Sequence, residues 1–349
     1  MIPNFYLDYA ILLILVSTLL SVLLSWLSIR IAPKIGLMDI PGSAKHKNHQ
    51  NPVPLTGGLV LIDLIIIMVL LTDLWKDPKI LAILLSGIII SIFGLVDDLI
   101  SLSPLKKFIS QILASIILIY LGIQINFFDS PEFFYRTESP LDMWLNLGLT
   151  VLWLVTLTNA FNFIDSSDGL AVGLSGLSAA FFLVISLTTG QTTLIFFCAI
   201  LLGICIGLYF FNSHPARLFL GDSGAQTLGF FLAAVAIIYN PNTGIQSSTW
   251  FVPILIFYVP LFDLMLVVVS RLRRNKRIQK ASRDHTYHRL SDRGIPIHHS
   301  VLIMHGVSLI MSMVGYLCLN LPILFANIVF CLALSLGVAA FLELDKDYL

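Results

Sequence analysis

Eleven apolar stretches, each long enough to cross a lipid bilayer, fill nearly the whole chain: 6–30, 56–74, 79–97, 107–126, 142–162, 169–189, 192–212, 223–240, 249–270, 299–319 and 322–343. A span needs about 20 apolar residues, and in lipid every backbone N–H and C=O must be satisfied inside the chain. Long unbroken runs meet that demand as helices. The expected fold is all-α and polytopic, a single membrane domain over residues 1–349 of about 11 transmembrane helices. Composition agrees: 57% of residues are hydrophobic and only 11% charged, with a mean hydropathy of +0.93. The first run is too long for a signal-peptide core and lacks a small-residue cleavage site, so it reads as a retained helix. The runs at 169–189 and 192–212 part only around Gly190 and Gln191, which leaves a re-entrant pair as an alternative there.

Charge gives the orientation. Asp8 precedes the first run and Arg30 and Lys34 follow it, so the positive-inside rule sets the N-terminus outside and the C-terminus inside. Eleven alternating helices then sort 17 of the 20 basic residues to the inner side and leave Lys76, Lys79 and Arg136 outside. The formal net charge of zero conceals this sorting, and no nucleic-acid partner is expected. The four cysteines lie in apolar runs without metal-type spacing and read as small core residues.

Against this background five aspartates stand out. Asp97 and Asp98 end one run, Asp165 and Asp168 end another, and Asp222 opens a third. A carboxylate at mid-bilayer depth costs about 2.5–3.5 kcal/mol on insertion scales, and clustered carboxylates repel one another. Such a group usually holds a cation, and hard oxygen donors beside phosphate point to Mg²⁺ or Mn²⁺. The topology puts all five on the inner face, with seven of the eight histidines.

Each motif has a plainer alternative. Acids at a helix C-terminus oppose the macrodipole, so Asp97–Asp98, with Lys106 and Lys107 nearby, suits a metal-and-phosphate site better than a simple helix stop. Asp165 and Asp168, spaced i, i+3, would share a face of a helical turn; an ordinary capping turn is the alternative. Asp222, at a helix start, is a candidate N-cap or metal ligand. The stretch Arg283-Asp284-His285-Thr286-Tyr287-His288-Arg289 could grip a diphosphate or decorate a headgroup-facing surface. Asp63 reads as a structural polar contact, Asp263 as a partner for backbone or a cation, and His305 as a helix-interface histidine.

Five inner-face segments carry a resemblance: HKNHQNPVPLTGG, GLVDDLISLSPLKK, NAFNFIDSSDGLA, FLGDSGAQTLGF and DHTYHRL. In this order they resemble the polyprenyl-phosphate N-acetylhexosamine-1-phosphate transferases, which include phospho-N-acetylmuramoyl-pentapeptide transferase. The resemblance implies transfer of a sugar 1-phosphate from a UDP-sugar, UDP-GlcNAc by default, to polyprenyl phosphate at the inner leaflet, with release of UMP and a Mg²⁺ or Mn²⁺ cofactor. It assigns catalysis to Asp97, Asp98, Asp165 and Asp168, with Asp97 activating the lipid phosphate. Asp222 and Asp98 become metal ligands, and Lys107, Asn162, His285, His288, Arg289 and His49 substrate contacts. The implied partners are the UDP-sugar, the lipid and the plasma membrane, with a homodimer left open.

The pattern departs from the family at Ser166, where glycine is frequent, at Ala225 in GDSGA, and at Tyr287, which replaces the middle histidine of HxHH. Three successive histidines are absent. This points to the branch that begins O-antigen, teichoic acid or related glycans. A transporter or lipid flippase without chemistry is the competing reading, although it would need polar groups on both sides of the midplane.

Overall fold

The computed structural model describes residues 4–41, 51–128, 139–240, 249–276 and 283–348. His46 and His49 lie outside the described residues. The elements in order are helix α1 (Asn4–Ile35), the two-residue strands β1 (Met38–Asp39) and β2 (Val53–Pro54), and helices α2 (Gly57–Leu71), α3 (Pro78–Ile100), α4 (Pro104–Tyr120), α5 (Pro140–Ile164), α6 (Leu170–Thr189), α7 (Thr192–Asn212), α8 (Gly221–Ile238), α9 (Val252–Ile256), α10 (Tyr258–Arg273), α11 (Thr286–Asp292), α12 (Ile297–Cys318) and α13 (Ile323–Asp345). Met38 pairs with Pro54 and Asp39 with Val53, antiparallel.

Local chemistry sets the boundaries. Pro78, Pro104 and Pro140 sit in the first turns of their helices, where a missing N–H costs nothing. Asp77 caps α3 by accepting from the Lys79 N–H at 2.8 Å, and Ser139 with Asp142 forms a capping box on α5. Every expected apolar segment is helical, and among the described residues eight helices are long and apolar enough to cross a membrane. The run at 56–74 gives a helix of 15 residues and that at 107–126 one of 17. The run at 249–270 is broken at Phe257, between α9 and α10. Pro260 explains the break, because its ring clashes with the carbonyl one turn earlier. Helices α6 and α7 pack along each other as separate long helices, with Gly190 turning the chain at φ 72°.

Helix α8 is the hub, packed against α2, α3, α5 and α6. Hydrophobicity drives little helix association within lipid, so close backbone approach between small residues has to supply it. A Cβ on Gly94 of α3 would lie 2.4 Å from the Cα of Ser223, and one on Gly58 of α2 would lie 2.1 Å from the Ser223 hydroxyl. Gly229 brings α8 equally close to α5, where an added Cβ would meet the Leu157 carbonyl at 2.8 Å. Glycines therefore set how near α2, α3 and α5 come to α8, and thus where the carboxylates at their ends meet.

The remaining polar expectations divide. His305 is an interface histidine, its Nε2 3.3 Å from the Leu170 carbonyl. Asp63 departs from expectation: it lies on the exposed face of α2 and makes no hydrogen bond or ion pair among the described residues. The reason is register, since the stretch around it turns Leu61, Ile62, Leu64 and Ile65 inward.

Candidate active site

The chain's alternation brings the end of α3, the start of α4, the end of α5, and the starts of α6 and α8 to one end of the bundle. There Lys107 on α4 bridges two acids. Its Nζ lies 2.5 Å from Asp97 Oδ2 and also contacts Asp222 Oδ2. Asn162 on α5 donates to the other oxygen of Asp222 at 2.8 Å. Asp97 further accepts from the Leu102 N–H, which folds the α3–α4 turn back onto its own carboxylate.

Behind this layer Gln111 and Gln226 hydrogen-bond at 3.1 Å, and Asn159 donates to Gln111 at 2.7 Å. Paired amides of this kind satisfy one another where water is scarce. Nothing in sequence spacing marks them as a group, because they come from three different helices.

Asp98, which the family resemblance makes a metal ligand, is engaged with the start of α8. Its Oδ1 accepts from the Asp222 N–H at 2.7 Å, and its Oδ2 accepts from the Ser223 N–H at 3.1 Å and the Ser223 hydroxyl at 2.7 Å. It therefore satisfies the open N–H groups of α8 from a neighbouring helix. Asp222 in turn is not the cap of its own helix but an acid of the first turn. Gly221 permits the arrangement: its φ of +70° favours glycine, and a Cβ there would strike the Asp98 carboxylate at 2.6 Å.

Asp165 and Asp168 do not share a helical face. Helix α5 ends at Ile164, and Asp165 already has ψ 50°. Asp168 turns to the loop after α7, where its Oδ2 lies 3.0 Å from His214 Nδ1 and accepts from the Ala216 N–H at 3.1 Å. The Asp165 carboxylate makes no hydrogen bond or ion pair among the described residues. Desolvation, together with the charges of Asp222, Asp98 and Asp168, holds its pKa well above the usual carboxylate range. Of the five aspartates it is the one left open to accept a proton or a cation.

The histidine segment forms the short helix α11, docked on this cluster. Asp263 of α10 accepts from the Thr286 N–H at 2.7 Å and pairs with His285 Nδ1 at 2.8 Å. It thus fixes the start of α11 and the orientation of the imidazole together. Tyr287 donates its hydroxyl hydrogen to the Ser166 carbonyl at 2.8 Å. Burial, with the positive fields of His285 and Arg283, pushes the His288 imidazole down to about 4. That opposes a cationic role at neutral pH, and among the described residues the buried Nδ1 has no hydrogen-bond partner.

Arg289, which the family resemblance makes a substrate contact, is engaged with the end of the chain. It is 1% exposed, pairs with Asp345 at 2.6 Å and lies over the Tyr348 ring. It ties α11 to the chain's last helix rather than to the aspartates. Asp284 does similar work, bound by Arg271 at 3.0 Å and Arg274 at 2.7 Å. Sequence reading missed Asp284 and Ser223 as organisers of the site, because their partners lie on other elements, whereas Asp263 was expected to bind backbone or a cation and accepts from the Thr286 N–H.

Among the described residues, no three His, Cys, Asp or Glu side chains are already gathered as metal ligands. The donor chemistry nevertheless fits a hard divalent cation. Two carboxylates converge on one lysine, Lys107 occupies the space between them as a monovalent cation would, and Asp165 carries unrelieved repulsion.

The sequence profile of glycosyl transferase family 4 matches residues 80–240, the stretch that carries Lys107 and all five aspartates. A probable undecaprenyl-phosphate N-acetylglucosaminyl 1-phosphate transferase of Bacillus subtilis (strain 168) is 31% identical over 283 residues, 81% of this chain and 77% of the relative. A decaprenyl-phosphate N-acetylglucosaminephosphotransferase of Mycobacterium leprae (strain TN) is 29% identical over 285 residues, 74% and 71% of the two chains. A phospho-N-acetylmuramoyl-pentapeptide-transferase of Halalkalibacterium halodurans is 29% identical over 259 residues, 70% and 78%.

Proposed function

This chain belongs to the family of polyprenyl-phosphate N-acetylhexosamine-1-phosphate transferases, and from that premise we propose that it transfers N-acetylglucosamine 1-phosphate from UDP-GlcNAc to undecaprenyl phosphate. The observation that carries the reading is the Asp97–Lys107–Asp222 bridge beside the open carboxylate of Asp165, at one end of a bundle of membrane-length helices. An acceptor with its tail in lipid and its phosphate at headgroup level needs a site at that depth.

In the reaction, an oxygen of the lipid phosphate attacks the phosphorus attached to the sugar. A new P–O bond forms, the bond linking the two phosphates of the donor breaks, and UMP leaves with the bridging oxygen. Both reactants are anions, so the site must suppress repulsion and neutralise charge on the departing UMP. Lys107 supplies one fixed positive charge at the carboxylates. Asp165, unpartnered and with a raised pKa, can take a proton from the acceptor phosphate. Asp97, which the family resemblance casts as that base, keeps Lys107 in place in this geometry and acts beside Asp165.

Asp222 and Asp97, which Lys107 now bridges, would hold the Mg²⁺ or Mn²⁺ ion, and that ion when bound would neutralise diphosphate charge. His285, oriented by Asp263, faces the donor, with Asn162 fixing Asp222 for the same substrate. The site faces the cytoplasm across the plasma membrane, as the charge sorting implies. The product begins a cell-surface glycan.

A transporter or flippase is disfavoured, because the described carboxylate cluster lies at one end of the bundle rather than along a path across it. The deciding experiment incubates purified protein with undecaprenyl phosphate, Mg²⁺ and a panel of UDP-sugars, and identifies the lipid product by mass. UMP release with a GlcNAc-1-phosphate adduct is expected; no adduct with any donor would overturn the reading.

A further inference from the structure

The two positions where the site motifs depart most visibly from the family pattern, Ser166 and Tyr287, touch each other. Tyr287 reaches 121 positions along the chain to donate to the Ser166 carbonyl at 2.8 Å. The loop it reaches runs from Asp165 to Gly169. At its far end Asp168 is held by His214 and the Ala216 N–H, and the Gly169 N–H donates to Asn212 at 3.2 Å. At its near end the Asp165 N–H still bonds the last turn of α5, to Phe161 at 3.2 Å. Among the described residues Asp165 has no side-chain partner, so the direction of its carboxylate depends on where the backbone at Asp165–Ser166 is held.

We propose that Tyr287 is a positioning residue that aims the Asp165 carboxylate, acting through the Ser166 carbonyl and coupling the histidine helix to the aspartate loop. The proposal rests on the transferase reading of this site.

The tyrosine is itself firmly seated. It is 3% exposed, stacked 5.9 Å from the His285 ring and tilted 40° against the His288 ring at 4.1 Å. His285 is anchored to Asp263, and Arg289 on the same short helix is anchored to Asp345. The latch thus links α10 and α13, through α11, to the Asp165–Gly169 loop. Burial pushes the phenol's pKa up, so it remains a hydrogen-bond donor across the working pH range. A histidine at this position would change charge within that range.

The test is Tyr287→Phe, which keeps the ring and removes only the donor. Hydrogen exchange of the amides at 165–169 should become faster, with α6 and α12 unchanged. The kcat should fall roughly two- to tenfold, as expected for one lost hydrogen bond, while KM for UDP-sugar and for polyprenyl phosphate stay within about twofold. Unchanged exchange at 165–169 would overturn the proposal. So would a rise in KM alone, which would mean that Tyr287 touches substrate, or faster exchange throughout the bundle, which would mean that it holds the whole fold. The exchange arm needs no substrate, so failure of transfer with every UDP-sugar would sink the proposed function and leave this test standing.

Discussion

The carboxylate of Asp98 caps a helix to which it does not belong, accepting from both the N–H and the hydroxyl of Ser223 at 3.1 and 2.7 Å. Its neighbour Asp97 pairs with Lys107 instead. Two consecutive aspartates therefore have different partners, one a helix N-terminus and one a lysine.

That division predicts different phenotypes for the same substitution. Asp98→Asn puts an amide with two donors where three donors now converge, so it should lower stability by about 1–3 kcal/mol as well as activity. Asp222→Asn and Asp97→Asn remove charge at the surface of the cluster and should leave the protein inserted and folded. Their kcat should nonetheless fall by roughly 100-fold or more, the usual scale for losing a preorganised charged group. Thermal unfolding in detergent alongside a UMP-release assay separates the cases. Wild-type-like turnover in both Asp222→Asn and Asp97→Asn would contradict the assigned site.

Gly94→Ala should damage the protein without altering any polar group. Its Cβ would fall 2.4 Å from backbone of α8, which cannot give way as a flexible side chain could. Overpacking of this kind costs about 1–3 kcal/mol. Here it should also displace Asp98 relative to the α8 N-terminus, so activity should fall even below the unfolding temperature. Gly148→Ala, on the open side of α5 with nothing within 4 Å, is the control and should be silent.

The raised pKa of Asp165 gives the pH dependence a definite sign. Folding binds a proton here more tightly than the unfolded chain does, so this group's contribution to stability falls as pH rises above its unfolded value of 3.8. Cation affinity should run the other way and increase with pH as Asp165 ionises. Asp165→Asn should flatten both trends. His288 acts in the opposite sense: its pKa is lowered to about 4 from 6.5, so the stability it contributes is present above 6.5 and lost as pH falls toward 4. Unfolding temperatures measured from pH 4 to 8 for wild type, Asp165→Asn and His288→Ala would show whether the slopes change as stated.

Sidedness is open to labelling. Cysteines introduced at Ser213, after α7, and at Gln191, between α6 and α7, lie at opposite ends of one helix. An impermeant thiol reagent added outside intact cells should reach Gln191→Cys and miss Ser213→Cys. The reverse pattern would place the aspartate cluster outside and remove access to a cytoplasmic sugar nucleotide.

The sequence by itself determined that this chain is a helical membrane protein and which residues crowd one face of it. Apolar run length is a local property, and lipid leaves helices as the means for such runs to satisfy their backbone. That Asp97, Lys107 and Asp222 gather on one side was also legible, because they sit at the ends of successive helices that alternation returns there, and Asn162 followed from the family resemblance. Only the tertiary structure decided what each does. The pairing of Asp98 with the α8 N-terminus depends on how closely Gly94 and Gly58 let the helices approach. The splitting of Asp165 from Asp168 depends on α5 ending one residue early, and the removal of Arg289 to Asp345 depends on where α13 returns. Those are distances between elements far apart in the chain, and hydrophobic periodicity holds no information about them.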